Sequence, residues 1–278
     1  MRRYLNETNY ERFISDFRFL FGLIRNSYGD LDLRLRDNYF NLYYRGNSML
    51  KVDFQQSDYK ISIHRKFCSG VFEGADPRLE SIVENSYKPR EYVYYYVPPS
   101  LLHVFVQRAH LDRLASRIKN VNQGEETTFE HALITDNMNR QDYMIIDRQI
   151  TEPGLGYRMD LLGLSQREGS TYSLEVIEVK MGNNRDLVGP VGDQIETYVQ
   201  HVRDNVEEWA SSYEQTYYQL RQTDIFDHPE HDTIHIQPEV SGRVVVMGYS
   251  GRAEMLISKL KEKHPSVRVQ QMSHQLEH

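Results

Sequence analysis

The chain has 278 residues, 39% apolar and 26% charged, and 33 Lys and Arg against 40 Asp and Glu leave a formal net charge of −7. At roughly 150 residues per domain this predicts one large or two modest domains, with enough apolar content to exclude long disorder. The single cysteine, Cys68, excludes an intrachain disulfide framework, a cysteine-rich zinc site and a cysteine-ligated iron–sulfur cluster. No apolar run approaches the roughly 18 residues of a membrane span. The opening MRRYLNETNYERF has no apolar signal core, so a soluble, cytoplasmic protein without a membrane partner is expected. The acidic total argues against a wholly electrostatic nucleic-acid binder, yet leaves room for a local basic cleft or a metal that bridges carboxylates to phosphate.

In chain order, Phe13, Phe17, Leu20, Phe21 and Ile24 recur at helical spacing, with Asn6 or Thr8 as the cap. Three strands follow, carried by Phe40, Leu42 and Tyr44, by Leu50, Val52 and Phe54, and by Ile61 and Ile63, which predicts an antiparallel meander. Asp76-Pro77 opens a short helix, and Glu91 to Val97 is a strand stopped by Pro98-Pro99. Strand alternation separates Tyr95 from Tyr94 and Tyr96, so strand packing is the safer role for these three than base stacking. A boundary is placed here, giving a smaller α+β domain at 1–98 and a second domain at 99–275; Leu276-Glu277-His278 reads as a tag remnant.

The second domain begins with an amphipathic helix from Leu101 to Ile118, then a short helix from Thr127-Thr128 that carries Phe129, Glu130 and Leu133. Strands are predicted at Asp142–Ile150, Tyr157–Leu164 and Ser173–Lys180, then a long helix from Asp193 to Arg221. The strand Arg243–Tyr249, the helix Arg252–Lys263 and the strand Val267–Gln270 complete an α/β fold with a mixed central sheet and flanking helices.

The informative stretch is Tyr157-Arg158-Met159-Asp160, followed by Glu178-Val179-Lys180. Residues two apart in a strand share a face, so Glu178 and Lys180 point one way and Ile177 and Val179 the other. If the two strands pair as a hairpin, Asp160 and Glu178 meet at one end of the sheet. A carboxylate pair beside a backbone carbonyl suits an oxygen-seeking cation such as Mg²⁺.

Asp160 with Glu178-Val179-Lys180 resembles the core of the PD-(D/E)xK nuclease superfamily, whose restriction-endonuclease-like fold has the same order of helix, three strands, helix and strand. Glu130 matches the acidic position many members use as a further metal ligand, and Gln194 with Tyr198 resembles the Q-x-x-x-Y signature of the RecB-like branch. Met159 stands where the superfamily often has proline. The resemblance implies a Mg²⁺-dependent nuclease, with Mn²⁺ able to substitute, acting on DNA rather than RNA. Asp160, Glu178 and Lys180 would be catalytic; Glu130, Asp160, Glu178 and the Val179 carbonyl would hold the metal; Gln194, Tyr198 and Arg158 would support the site or touch substrate. Residues 1–98 would serve recognition or a protein partner. The alternatives are a non-catalytic nucleic-acid-binding or assembly protein on the same scaffold, and hydrolysis of a small phosphorylated molecule.

Weaker signals surround this core. Glu175, three residues before Glu178, is expected at the surface, and Arg148, Arg158 and Arg185 are expected to flank the cleft as phosphate contacts or solvated side chains. Asp193 and Glu196 have the spacing of a capping box, which would set Gln194 in the first turn. The stretch from Gly182 to Gly189 reads as a flexible loop. His228, His231 and His235 would align on a helix as a zinc site, but Pro229 favours a solvated loop.

Overall fold

Alternating apolar residues build the sheet in the first half of the chain. In the computed structural model, which describes residues 2–121, 124–152, 156, 158–225 and 231–273, strands β1 (Leu31–Arg36), β2 (Tyr39–Tyr44), β3 (Asn47–Phe54), β4 (Tyr59–His64) and β5 (Tyr92–Val97) form a five-stranded sheet in chain order. Every neighbouring pair is antiparallel. The meander thus gains β1, which the sequence reading passed over. Helices α1 (Glu7–Asp16) and α2 (Arg18–Arg25) pack their aromatic stripe on this sheet, with the Phe17 ring 4.9 Å from Phe40 and 5.0 Å from Tyr59, both edge-on. One helix was expected here; it breaks at Phe17, whose φ of −109° leaves the helical region. Asn6 is the cap, its side chain accepting from the Asn9 amide at 2.9 Å. The short helices α3 (Arg65–Cys68), α4 (Glu80–Glu84) and α5 (Leu102–Phe105) precede α6 (Arg108–Val121). Tyr95 is buried and Tyr96 exposed, as strand alternation requires.

The second sheet has the order β10-β9-β8-β7-β6, with β6 (Tyr143–Thr151), β7 (Arg158–Glu168), β8 (Thr171–Met181), β9 (His235–Met247) and β10 (Arg268–Met272). Strands β6, β7 and β8 are antiparallel, whereas β8, β9 and β10 run parallel. Parallel neighbours need crossovers. They are supplied by α8 (Pro190–Asp204) with α9 (Val206–Arg221), and by α10 (Ser250–Lys263), while α7 (Glu125–Asn137) leads into β6. Helix α7 buries Phe129, Leu133 and Ile134 against Leu161, Ile177, Val179 and Val245. Helix α8 lies on the opposite face, where Ile195 and Val199 close over Gly242. The fold is therefore an antiparallel five-stranded sheet followed by a mixed five-stranded sheet with flanking helices.

Contacts divide the chain into one unit of Arg2–Gly124 with Gln219–Asp227 and another of Glu125–Tyr218 with His228–His278, whereas the sequence placed its boundary at 98/99. Helix α6 stays with the first unit because Arg113 donates to the carbonyls of Val71 and Glu73 at 2.9 and 2.7 Å. Gln219 returns to that unit as well, accepting from the Leu5 amide at 2.9 Å and donating to the Leu5 carbonyl at 2.7 Å. The predicted long helix is two helices, interrupted at Asn205, where φ is −122°. Gly189 caps α8 and Pro190 opens it, so Asp193 and Glu196 sit inside the helix and form no capping box. His228, Tyr157 and 276–278 lie outside the described residues. His235 opens β9 opposite Thr171 and faces Glu214 at 3.2 Å, so it cannot share a helical face with His231. Among the described residues no helix is long and apolar enough to cross a membrane.

Candidate active site

Strand register assembles the site. Leu161 pairs with Ile177 at the end of the β7–β8 ladder, which brings Asp160 and Glu178 to the same end of the sheet. Alternation sends Leu161, Ile177 and Val179 into the apolar cluster under α7 and leaves Asp160, Glu178 and Lys180 together on the other face. The Lys180 ammonium lies 2.7 Å from Glu178 Oε1 and 3.7 Å from Asp160 Oδ2, and donates to the Val179 carbonyl at 3.1 Å. The Val179 amide in turn donates to Asp160 Oδ2 at 2.9 Å. Glu178 is 2% exposed, and its Oε2 has no hydrogen-bond partner among the described residues. A buried acceptor left open in this way costs about 1–3 kcal/mol unless a proton or a cation meets it.

Helix α7 contributes two more carboxylates. Glu130 is buried and accepts from Arg148 Nη2 at 3.1 Å. Glu126, four residues earlier and so on the same helical face, accepts from Asn184 Nδ2 at 3.0 Å and from the Met181 amide at 3.4 Å. The sequence reading missed Glu126 because it started this helix at Thr127. The usable signal was the four-residue spacing to Glu130.

The electrostatics follow from this crowding. Burial, then the neighbouring Asp160 charge, pushes Glu130 up to about 7 despite Arg148. The same two causes push Glu178 up to about 7, with Lys180 acting the other way and Glu126 adding to the rise. Burial also raises Asp160, against the pull of Lys180 and the Val179 amide. For Lys180, burial disfavours the ammonium, but Glu178 and Asp160 together outweigh it and raise the group. Glu130 and Glu178 are buried and Asp160 partly so, all three with raised proton affinity, and Glu178 keeps an unmet oxygen. Among the described residues the three do not close within 4.8 Å of one another, so a hard divalent cation would have to draw Asp160 and Glu178 together.

The flanking residues divide into those at the site and those that leave it. Gly182 follows the lysine strand closely: its amide donates to the Met247 carbonyl at 2.7 Å, and a Cβ there would collide with the Gly248 carbonyl and Ala253. The following segment is a 3₁₀ turn, Arg185–Val188, capped by Asn184, rather than a featureless loop. Gln194 and Tyr198 lie on α8, the helix that covers the face bearing Glu178 and Lys180; Gln194 is half-buried and Tyr198 fully buried. Tyr198 therefore offers no surface to a substrate. Arg158 is exposed at the start of β7, and its charge lowers the proton affinity of both Asp160 and Glu130. Arg148 is fully buried in its pair with Glu130, so the expected phosphate contact there is replaced by an internal ion pair.

Glu175 also departs from expectation. It is 1% exposed and accepts from the Tyr143 hydroxyl at 2.6 Å and from Arg243 at 3.0 and 3.1 Å, with Arg268 at 3.4 Å. Both faces of this sheet are covered, so a residue facing away from Glu178 is not thereby at the surface. Replacing Glu175 with alanine removes the acceptor of the Tyr143 hydroxyl and of one edge of the Arg243 guanidinium, which keeps Gln270 at 2.7 Å, and a loss of about 1–3 kcal/mol in urea unfolding is expected. A stability loss below about 0.5 kcal/mol would contradict this role.

No protein family's sequence profile matches the chain, and no curated relative does. Among solved structures, an EndoMS-dsDNA2 complex is similar at a TM-score of 0.27 and 10% identity, covering 89% of this chain and 78% of that chain. A likeness of that size settles neither fold nor activity.

Proposed function

We propose that this protein is a metal-dependent nuclease of the PD-(D/E)xK kind that hydrolyses phosphodiester bonds, with DNA as the substrate rather than RNA. The observation that carries the reading is the meeting of Asp160, Glu178 and Lys180 on one strand face beside Glu130, with Glu178 Oε2 buried and unmet. Asp160, Glu178 and the Val179 carbonyl would hold Mg²⁺ or Mn²⁺, with Glu130 and Glu126 completing the acidic wall. The cation, when bound, supplies Lewis-acid stabilisation of charge on the phosphate and an acidified water.

The chain's own groups do the remaining work. The Val179 amide fixes the Asp160 carboxylate, which reduces the reorganisation needed when substrate arrives. Lys180, within reach of both strand carboxylates, orients the attacking water and offsets the charge that grows on the phosphate. Arg158, exposed at the start of β7, would meet a backbone phosphate. Tyr198 supports the helix over the site, and Gln194 stands nearer the substrate. The unit containing the antiparallel sheet would serve recognition or a protein partner.

The test is cleavage of supercoiled plasmid and of single- and double-stranded DNA and RNA, with Mg²⁺ or Mn²⁺ and with EDTA. Cleavage that requires the metal and disappears in Asp160→Asn is expected. Equal cleavage by Asp160→Asn overturns the site. Nucleic-acid binding that weakens with salt, without cleavage of any substrate, would instead identify a binding or assembly protein on this scaffold.

A further inference from the structure

We propose a second metal site in the same unit, where His264 and Asp193 take Zn²⁺ and Glu196 positions the imidazole. Asp193 and Glu196 are three apart on α8 and therefore neighbours on its surface. His264 ends α10, its backbone held by its amide bond to the Leu260 carbonyl at 2.8 Å and by the Val267 amide, which donates to its carbonyl at 3.1 Å. Ligand atoms of all three residues lie within 4.8 Å of one another.

The orientation of the ring is what separates this cluster from a chance gathering of charges. His264 Nδ1 lies 3.2 Å from Glu196 Oε2, and Glu196 Oε1 accepts from Ser266 Oγ at 3.0 Å. A carboxylate only accepts, so Nδ1 carries a proton, and in the neutral ring the lone pair is then on Nε2. His264 is 7% exposed, and Nε2 has no hydrogen-bond partner among the described residues. That nitrogen faces Asp193 Oδ1 at 3.8 Å, shorter than the sum of a Zn–N and a Zn–O bond of about 2.1 Å each, so an ion fits in a bent bridge between them. A carboxylate on one ring nitrogen with a metal on the other is a recurrent arrangement that fixes tautomer and direction. Gly192 permits it: a Cβ there would strike the His264 ring, so glycine lets the imidazole lie against the first turn of α8. Asp193 is largely exposed, with 68% of its side chain accessible, and leaves the remaining coordination positions to water. Imidazole with carboxylate prefers zinc and its neighbours to Mg²⁺, so this site differs in metal from the one between β7 and β8.

The experiment is zinc titration of the full chain by calorimetry, paired with imidazole nitrogen NMR at pH 8. The expected result is one zinc equivalent that is lost in both His264→Gln and Asp193→Asn, and whose affinity falls at least about tenfold in Glu196→Ala. Before zinc, the NMR signal assigned to His264 by subtraction should be that of the Nδ1–H form, with Nε2 shifting on addition. Asp193→Asn changes an exposed side chain and should melt with the parent, which separates lost ligation from lost fold. Unchanged zinc stoichiometry in Asp193→Asn, or an Nε2–H imidazole at His264, overturns the proposal.

Discussion

Lys180→Ala should lower metal-dependent turnover by at least about 10²-fold at saturating metal, the lower bound for a positioned electrostatic or proton-transfer group. The ammonium sits 2.7 Å from Glu178 and 3.7 Å from Asp160, between the two groups that would hold the cation. Its contribution grows as the water is oriented and phosphate charge rises, which places it mainly in the transition state. DNA affinity measured with Ca²⁺, a larger ion that accepts looser geometry, should change far less. Lys180→Arg should not restore the rate, because a planar guanidinium cannot occupy the pocket of a compact ammonium. Equal cleavage by the alanine variant would remove Lys180 from the reaction.

The metal-free protein should lose stability as pH rises from about 5.5 to 8, and Glu178→Gln should flatten that loss. Glu130 and Glu178 are each raised from 4.5 to about 7 by burial and by Asp160. A carboxylate raised in the folded state contributes stability that is fully present below its unfolded value and lost as pH passes its folded value. The window is therefore about pH 4.5 to 7 and somewhat above. His64 and His110, both lowered by burial, act in the opposite sense: their contribution is present above their ordinary value of 6.5 and is lost as pH falls. Comparison with the variant removes this background. The difference in melting temperature between pH 5.5 and 8 should shrink by at least about 2 °C, the shift that ~1 kcal/mol gives in a chain of this size. Mg²⁺ or Mn²⁺ should raise the wild-type melting temperature more at pH 8 than at 5.5, since protons compete for the same oxygens. An unchanged pH slope in Glu178→Gln would show that Glu178 is not the group being titrated.

The face shared by Asp160, Glu178 and Lys180 was legible because a strand repeats every two residues, and no tertiary knowledge is needed to read that period. Glu126 was not, because helix ends carry weak local signals and a start only two residues late removed it from the helix. Glu175 was misplaced for a different reason. Its face depends on whether a second layer covers the sheet, and that is decided by α7 and the strands bearing Tyr143, Arg243 and Arg268, all distant in sequence. The interruption at Asn205 escaped notice because the apolar stripe resumes in phase beyond it. The early start of β9 was hidden by Pro238, which reads as a strand breaker. The triad of Asp193, Glu196 and His264 could not be read at all, since it joins residues 68 positions apart.

The return of Gln219 to Leu5 bears on how the chain folds while it is being synthesised. The Leu5 amide and carbonyl both pair with the Gln219 side chain, a separation of 214 residues. On the ribosome, the first sheet and its helices can collapse once residue 124 has emerged, yet Leu5 must wait while α7, β6, β7, β8, α8 and most of α9 are translated. At roughly 5–20 residues per second that interval lasts several seconds or more. A nascent chain stalled before Gln219 should therefore exchange its Leu5 amide proton freely, and one stalled after α9 has cleared the exit tunnel should protect it. The last turn of α9 thus acts as a late-arriving latch on the earliest part of the fold.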